Sequence, residues 1–177
     1  MANYITILRI LLIFPVLFLA SPEQSQGNWL ALLLFVIAGL TDHLDGYVAR
    51  RTGTTSGLGA LLDLLADKLL IIVTLFYFIS YESNLLLIIP SLVIIIREII
   101  ISFFRQYLAE KGGNPIKVTF IAKSKTTLQI FALSFLIISP NFGQPFFILT
   151  VSLFWLAAYV SLHSLYGYIE RYRNLIK

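Results

Sequence analysis

Long apolar runs divided by short polar breaks dominate this chain. A helix that crosses a bilayer needs about 20 mostly apolar residues. Six stretches meet that need, at 5–20, 28–50, 58–80, 85–111, 121–139 and 145–171. The breaks between them read SPEQSQGN, RTGTTSG, SYESN, KGGNPIK and SPNFGQP. Gly, Pro, Ser and Asn supply the turn chemistry in each. No repeat, low-complexity tract or linker interrupts the pattern, so it predicts one domain over 1–177, an all-α integral membrane protein with six transmembrane helices. The first run has the length of a signal peptide, but Arg9 lies inside it rather than ahead of it, and further spans follow. It therefore reads as a retained first helix.

Composition supports the same class. Hydrophobic residues make up 58% of the chain and charged residues 12%, against about a quarter charged in soluble domains. Mean hydropathy is +0.87. So apolar a chain has too little polar surface to cover itself in water. The net charge of +4 is small and calls for no nucleic acid. With no cysteine, disulfides and thiolate metal sites are excluded.

Lysine and arginine placement sets the expected orientation. The breaks after the first, third and fifth runs carry neither residue. Arg50 and Arg51 flank the second break, Lys111 and Lys117 the fourth, and Arg171, Arg173 and Lys177 the C-terminal end. By the positive-inside rule, both termini are expected in the cytoplasm of a multi-pass cell-membrane (inner or plasma membrane) protein. Trp29, Tyr77, Phe78 and Tyr81 fall near the opposite boundary and read as an aromatic belt.

Depth then brings the charges together. At 1.5 Å rise per residue, Asp42 and Asp67 lie roughly 20 Å down their antiparallel helices from the external ends, and Asp45 and Asp63 roughly 26 Å. Arg97 lies roughly 18 Å down the fourth helix, and Lys125 and Lys123 roughly 21 and 24 Å down the fifth. Such charges are costly in hydrocarbon unless they face one another or a wet cavity. One polar chamber in the cytoplasmic half, walled by helices two to five, is the economical arrangement.

The segment DHLDGYVARRTGTTSGLGALLDLLAD places Asp42 three residues before Asp45, and Asp63 four before Asp67. Each pair shares one helical face. Four facing carboxylates repel strongly at low dielectric, and two divalent cations relieve that repulsion. Hard oxygen donors suit Mg²⁺ or Mn²⁺. Two close metals are a known device for phosphoryl transfer. The bland alternative is a set of structural ion pairs to Arg50, Lys68 or Arg97. Gly46 and Gly59 let a nucleotide approach the backbone. Thr41, next to Asp42, has a hydroxyl that either meets a phosphate or bonds back to its own helix, the second being commoner. His43 faces away from the aspartate stripe, and His163 reads as a packing or interfacial residue.

Asp42, Asp45, Gly46, Ala49, Arg50, Gly59, Asp63 and Asp67 stand in the spacing Asp-x2-Asp-Gly-x2-Ala-Arg-x8-Gly-x3-Asp-x3-Asp. At all eight positions this resembles the signature of the CDP-alcohol phosphotransferases. The resemblance implies six transmembrane helices, a homodimer and a di-metal site for a CDP-linked substrate. It also implies that Asp42, Asp45, Gly46, Ala49, Arg50 and Gly59 hold CDP, that Asp42, Asp45, Asp63 and Asp67 hold metal, and that Asp67 is the general base. NYITILRI, TDHLDGYVARR, LDLLADK, REIIISFFRQYLAEKG and AKSKTTLQ are similar to one branch of that family. That branch joins CDP-diacylglycerol to sn-glycerol 3-phosphate, giving phosphatidylglycerol phosphate and CMP. His43 and Leu64 depart from the commoner residues of the branch, at positions outside the signature.

A dianionic acceptor needs cationic donors near the metals, and Arg97, Arg105, Lys123 and Lys125 are the candidates. Their alternatives are an ion pair of Arg97 with Asp45 or Glu98, and snorkelling of Arg105 and Lys125 to the headgroups. Other acceptors within the same family are inositol phosphate, serine or phosphatidylglycerol. A small divalent-cation transporter is the rival from another class, but the external halves of the helices lack the charges of a permeation path.

Overall fold

The computed structural model describes residues 2–20, 25–52, 57–110 and 120–176. Within them, the side chains at 2–5, 25–27, 42–52, 57–64, 67, 105, 108–110, 120–124 and 171–176 are outside the description. Among the described residues the chain forms six α-helices, one 3₁₀ turn and no strand. The helices are α1 (Ala2–Leu19), α2 (Ser25–Thr52), α3 (Gly57–Tyr81), α4 (Leu85–Glu110), α5 (Phe120–Ile138) and α6 (Gln144–Ile176). Each covers one of the six apolar runs. The largest difference is at the end of α6, which continues to Ile176 because nothing in ERYRNLI breaks a helix.

Two connections show local chemistry at work. Between α3 and α4, Glu82 Oε1 accepts the N–H of Ser83 at 2.9 Å and of Asn84 at 2.8 Å. Asn84 then caps α4, its Oδ1 accepting the Leu86 N–H at 2.9 Å. Between α5 and α6, the 3₁₀ turn Ser139–Asn141 carries Pro140 and closes with the Phe142 N–H donating to the Ser139 carbonyl at 3.0 Å. Asn28 Nδ2 donates to Asn141 Oδ1 at 3.2 Å, pinning the start of α2 to that turn.

Helix α1 packs against α2 and α3, and α6 against α4 and α5. Contacts of α2 with α5 and of α3 with α4 join the two groups. Val16, Phe35, Ile71, Leu75, Leu133 and Phe154 are buried in the core they share. Ala31, Ala38, Ala132 and Ala157 are fully buried as well, and such small residues let helix backbones approach closely.

The exterior is apolar as well as the core. Leu11, Phe14, Phe76, Phe103 and Ile148 face outward, and Phe18 is 87% exposed. Arg9, Arg97, Glu98, Lys125 and Gln129 lie inside. Among the described residues, Leu85–Phe104 and Gln144–Glu170 are long and apolar enough to cross a membrane, while Thr6–Leu19, Asn28–Thr41 and Lys68–Tyr81 are shorter apolar segments.

The expected aromatic belt needs one correction. Trp29 and Tyr81 are exposed, but Phe78 belongs to the core. It follows Ile71 and Leu75 at helical spacing, so it lies on the inward stripe of α3.

Candidate active site

Helix α2 carries Asp42, Asp45, Gly46, Ala49 and Arg50 near its C-terminal end, and α3 carries Gly59, Asp63 and Asp67 near its start. Both segments are helical, as the spacing of the carboxylate pairs requires, and the two helices are in contact. The side chains of these eight residues, and those of His43, Arg105 and Lys123, lie outside the described residues. Thr41, beside Asp42, and Lys68, beside Asp67, are described, and they outline the surroundings.

Thr41 precedes Asp42. Its hydroxyl donates to the Ala38 carbonyl at 2.8 Å, the bond back to its own helix. The same oxygen lies 3.5 Å from Nε of Arg9 on α1. Arg9 is 1% exposed, so α1 brings a buried cation to the turn that bears Asp42.

Lys68 follows Asp67. Its ammonium meets Oε2 of Glu98, a carboxylate of α4 that is 0% exposed. The other oxygen, Oε1, receives Arg97 Nη1 at 2.8 Å, the ammonium of Lys125 from α5, and Gln129 Nε2 at 3.3 Å. A carboxylate offers about four lone-pair sites, so four donors from three helices match its accepting capacity. That match explains how the charge is tolerated inside: an unpaired buried carboxylate costs several kcal/mol, and charge-assisted bonds offset the loss of water.

Arg97 is held at three points. Besides Glu98, it donates from Nε to the Ser161 carbonyl at 3.1 Å and from Nη2 to Ser164 Oγ at 3.1 Å. Gln129 Nε2 also donates to Ser161 Oγ at 3.1 Å. The cluster thus binds α3, α4, α5 and α6 together beside Asp67. Of the four proposed acceptor cations, the structure brings Arg97 and Lys125 together at Glu98. The ion pair of Arg97 with Glu98, foreseen as its alternative role, is present.

Glu98, Lys68 and Gln129 were not picked out as site residues by sequence. A signal for Glu98 was available, since an ionisable residue in the middle of IIIREIII is expensive unless it has a task. Arg9, inside ITILRILLIF, offered the same signal. No comparable mark distinguishes Gln129. His163 is exposed and stacks beside Tyr159 with ring centroids 6.5 Å apart. A cavity of about 260 Å³ lined by Phe78, Tyr81, Leu136, Phe142 and Phe147 lies by the connections after α3 and α5, at the other end of the bundle from Glu98.

Comparison with known proteins bears on the same residues. The family described as CDP-alcohol phosphatidyltransferase matches residues 1–163, which include the aspartate segment and the Glu98 cluster up to Ser161. A protein of Haemophilus influenzae named CDP-diacylglycerol–glycerol-3-phosphate 3-phosphatidyltransferase is 36% identical over 170 residues, 94% of this chain and 90% of that protein. The protein of that name from Escherichia coli K12 is 34% identical over 171 residues, 96% of this chain and 92% of that protein. One from Wigglesworthia glossinidia brevipalpis is 41% identical over 110 residues, 62% of this chain and 60% of that protein. With a family match over residues 1–163 and relatives aligned along nearly its whole length, the chain belongs to the CDP-alcohol phosphatidyltransferase family.

Proposed function

We propose that this chain is the enzyme that transfers the phosphatidyl group of CDP-diacylglycerol to sn-glycerol 3-phosphate, giving phosphatidylglycerol phosphate and CMP. One observation carries this: relatives bearing the name of that activity align with more than nine-tenths of the chain at 34–36% identity. The buried cations at Glu98, next to the helix turn that holds Asp67, support an anionic acceptor.

Asp42, Asp45, Asp63 and Asp67 fit a pair of Mg²⁺ or Mn²⁺ ions, being hard oxygen donors spaced along helices α2 and α3, which are in contact. Bound there, the metals supply Lewis-acid stabilisation of phosphoryl charge. Gly46, Ala49, Arg50 and Gly59 help to hold the CDP moiety together with Asp42 and Asp45. Asp67 accepts the proton of the glycerol 3-phosphate hydroxyl. That oxygen bonds to the β-phosphorus while the bond from this phosphorus to the CMP oxygen breaks, and CMP departs. Arg97, Arg105, Lys123 and Lys125 supply the positive field for the acceptor phosphate. The apolar exterior supports six spans of the cell membrane, the placement of lysine and arginine supports cytoplasmic termini, and the lipid tails of the donor stay in the bilayer. The family resemblance supports a homodimer.

The purified protein, given CDP-diacylglycerol, Mg²⁺ and a panel of acceptors, is expected to release CMP with glycerol 3-phosphate and to stop when the metal is chelated. Release with serine, inositol phosphate or phosphatidylglycerol in place of glycerol 3-phosphate would overturn the acceptor assignment.

A further inference from the structure

Resting on glycerol 3-phosphate as the acceptor, we infer that Glu98 is a positioning residue for that substrate. It holds Lys125 and Arg97 on the acceptor side, and Lys68 on the side of the proposed base, in fixed relation to one another.

The arrangement exceeds what a structural ion pair needs. One cation satisfies a buried carboxylate when the remaining lone pairs find neutral donors. Here three cations from three helices converge on Glu98, and the amide of Gln129 completes the set. Gathering like charges around one site is unfavourable at low dielectric unless the shared anion, or a second anion that visits the site, offsets it. Glu98 supplies the first of these permanently. An ammonium has three N–H donors, so Lys125 anchored by one of them keeps the valence to meet a phosphate oxygen.

Position in the chain adds the second half. Lys68 directly follows Asp67, so its bond to Oε2 ties the turn of the proposed base to Glu98. Lys125 bonds to Oε1 of the same carboxylate. One carboxylate, itself 0% exposed, is therefore bonded both to the residue that follows the proposed base and to a proposed acceptor cation. Small misplacements between such points are costly to an oriented reaction. Gln129 and Arg97 both reach Ser161, which braces the cluster against α6.

The test compares Glu98→Gln and Glu98→Asp with the wild type, reading KM for each substrate, kcat and thermal unfolding in detergent. Glu98→Gln is expected to raise KM for glycerol 3-phosphate about tenfold or more, the scale of one weakened charge-assisted hydrogen bond, with KM for CDP-diacylglycerol nearly unchanged. Glu98→Asp keeps the charge on a shorter stem and is expected to recover part of that loss. Should Glu98→Gln fail to fold, the acceptor KM of Glu98→Asp decides, because a rise confined to that substrate supports positioning. A lower unfolding temperature with both KM values unchanged would reduce Glu98 to a structural tie and overturn the inference. So would a fall in the acceptor KM, which would mark Glu98 as a brake on anion binding. If the wild type itself releases no CMP with glycerol 3-phosphate, the acceptor assignment fails first and the inference with it.

Discussion

The indole N–H of Trp155 on α6 donates to the backbone carbonyl of Leu86 on α4 at 2.9 Å. Four residues beyond Leu86 stands Pro90, inside the helix. Proline has no N–H, so that carbonyl loses the partner a helix would normally give it. Trp155 replaces the missing donor from a neighbouring helix.

Removing that donor has a consequence that depends on Pro90. Trp155→Phe keeps an aromatic ring but loses the indole N–H and is expected to cost about 1 kcal/mol of stability. In a Pro90→Ala background, position 90 regains its own N–H and the cost of Trp155→Phe should shrink. Thermal unfolding of the two single variants and the double variant forms the cycle. An equal cost in both backgrounds would refute the link.

Arg97 holds α4 to α6 through Ser161 and Ser164 while it pairs with Glu98. Arg97→Ala is expected to lower stability by about 1.5–3 kcal/mol, the scale of lost charge-assisted hydrogen bonds, since Lys68 and Lys125 still pair with Glu98. Arg97→Lys keeps the charge but not the planar fork, so it should recover only part of the loss. Unfolding of the detergent-solubilised protein measures both. Wild-type stability in the alanine variant would show that the tie between helices is dispensable.

Asp67→Asn retains the shape of the side chain and removes the proposed proton acceptor. CMP release is expected to fall by about 10²–10⁴-fold, the range of a general base. Binding of CDP-diacylglycerol to the variant, followed by equilibrium titration, should persist. Full turnover would end the assignment of Asp67 as base.

The chain has no cysteine, so single introduced thiols report topology without background. Ser83 is exposed in the connection between α3 and α4, and Glu170 is exposed towards the end of α6. A membrane-impermeant maleimide should label Ser83→Cys from outside intact cells and Glu170→Cys only after the membrane is opened. The reverse pattern would invert the proposed orientation.

The helices were legible in the sequence because hydrophobic run length and turn residues act locally. The six runs and their Gly, Pro, Ser and Asn breaks coincide with α1 to α6. The helical state of the two aspartate segments was legible for a similar reason, since three- and four-residue spacing is a local pattern. The inward stripe of Ile71, Leu75 and Phe78 shows where sequence reading fell short: depth placed Phe78 in a belt, but helix rotation, set by packing, turned it into the core.

The sequence by itself determined six apolar helices, a pair of acidic segments with family-specific spacing, and basic residues at depths that share one end of the bundle. Beyond the adjacent pair of Arg97 and Glu98, which charge meets which was a matter for tertiary structure. Lys68, Lys125 and Gln129 lie 30, 27 and 31 residues from Glu98 and on other helices, and nothing local aims them at it. Their convergence depends on how α3, α4 and α5 rotate and slide when packed, as does the choice of Trp155 to serve the carbonyl that Pro90 leaves behind. Long-range polar pairing in an apolar interior follows from the whole arrangement of helices, because each buried group must find its partner wherever packing has put one.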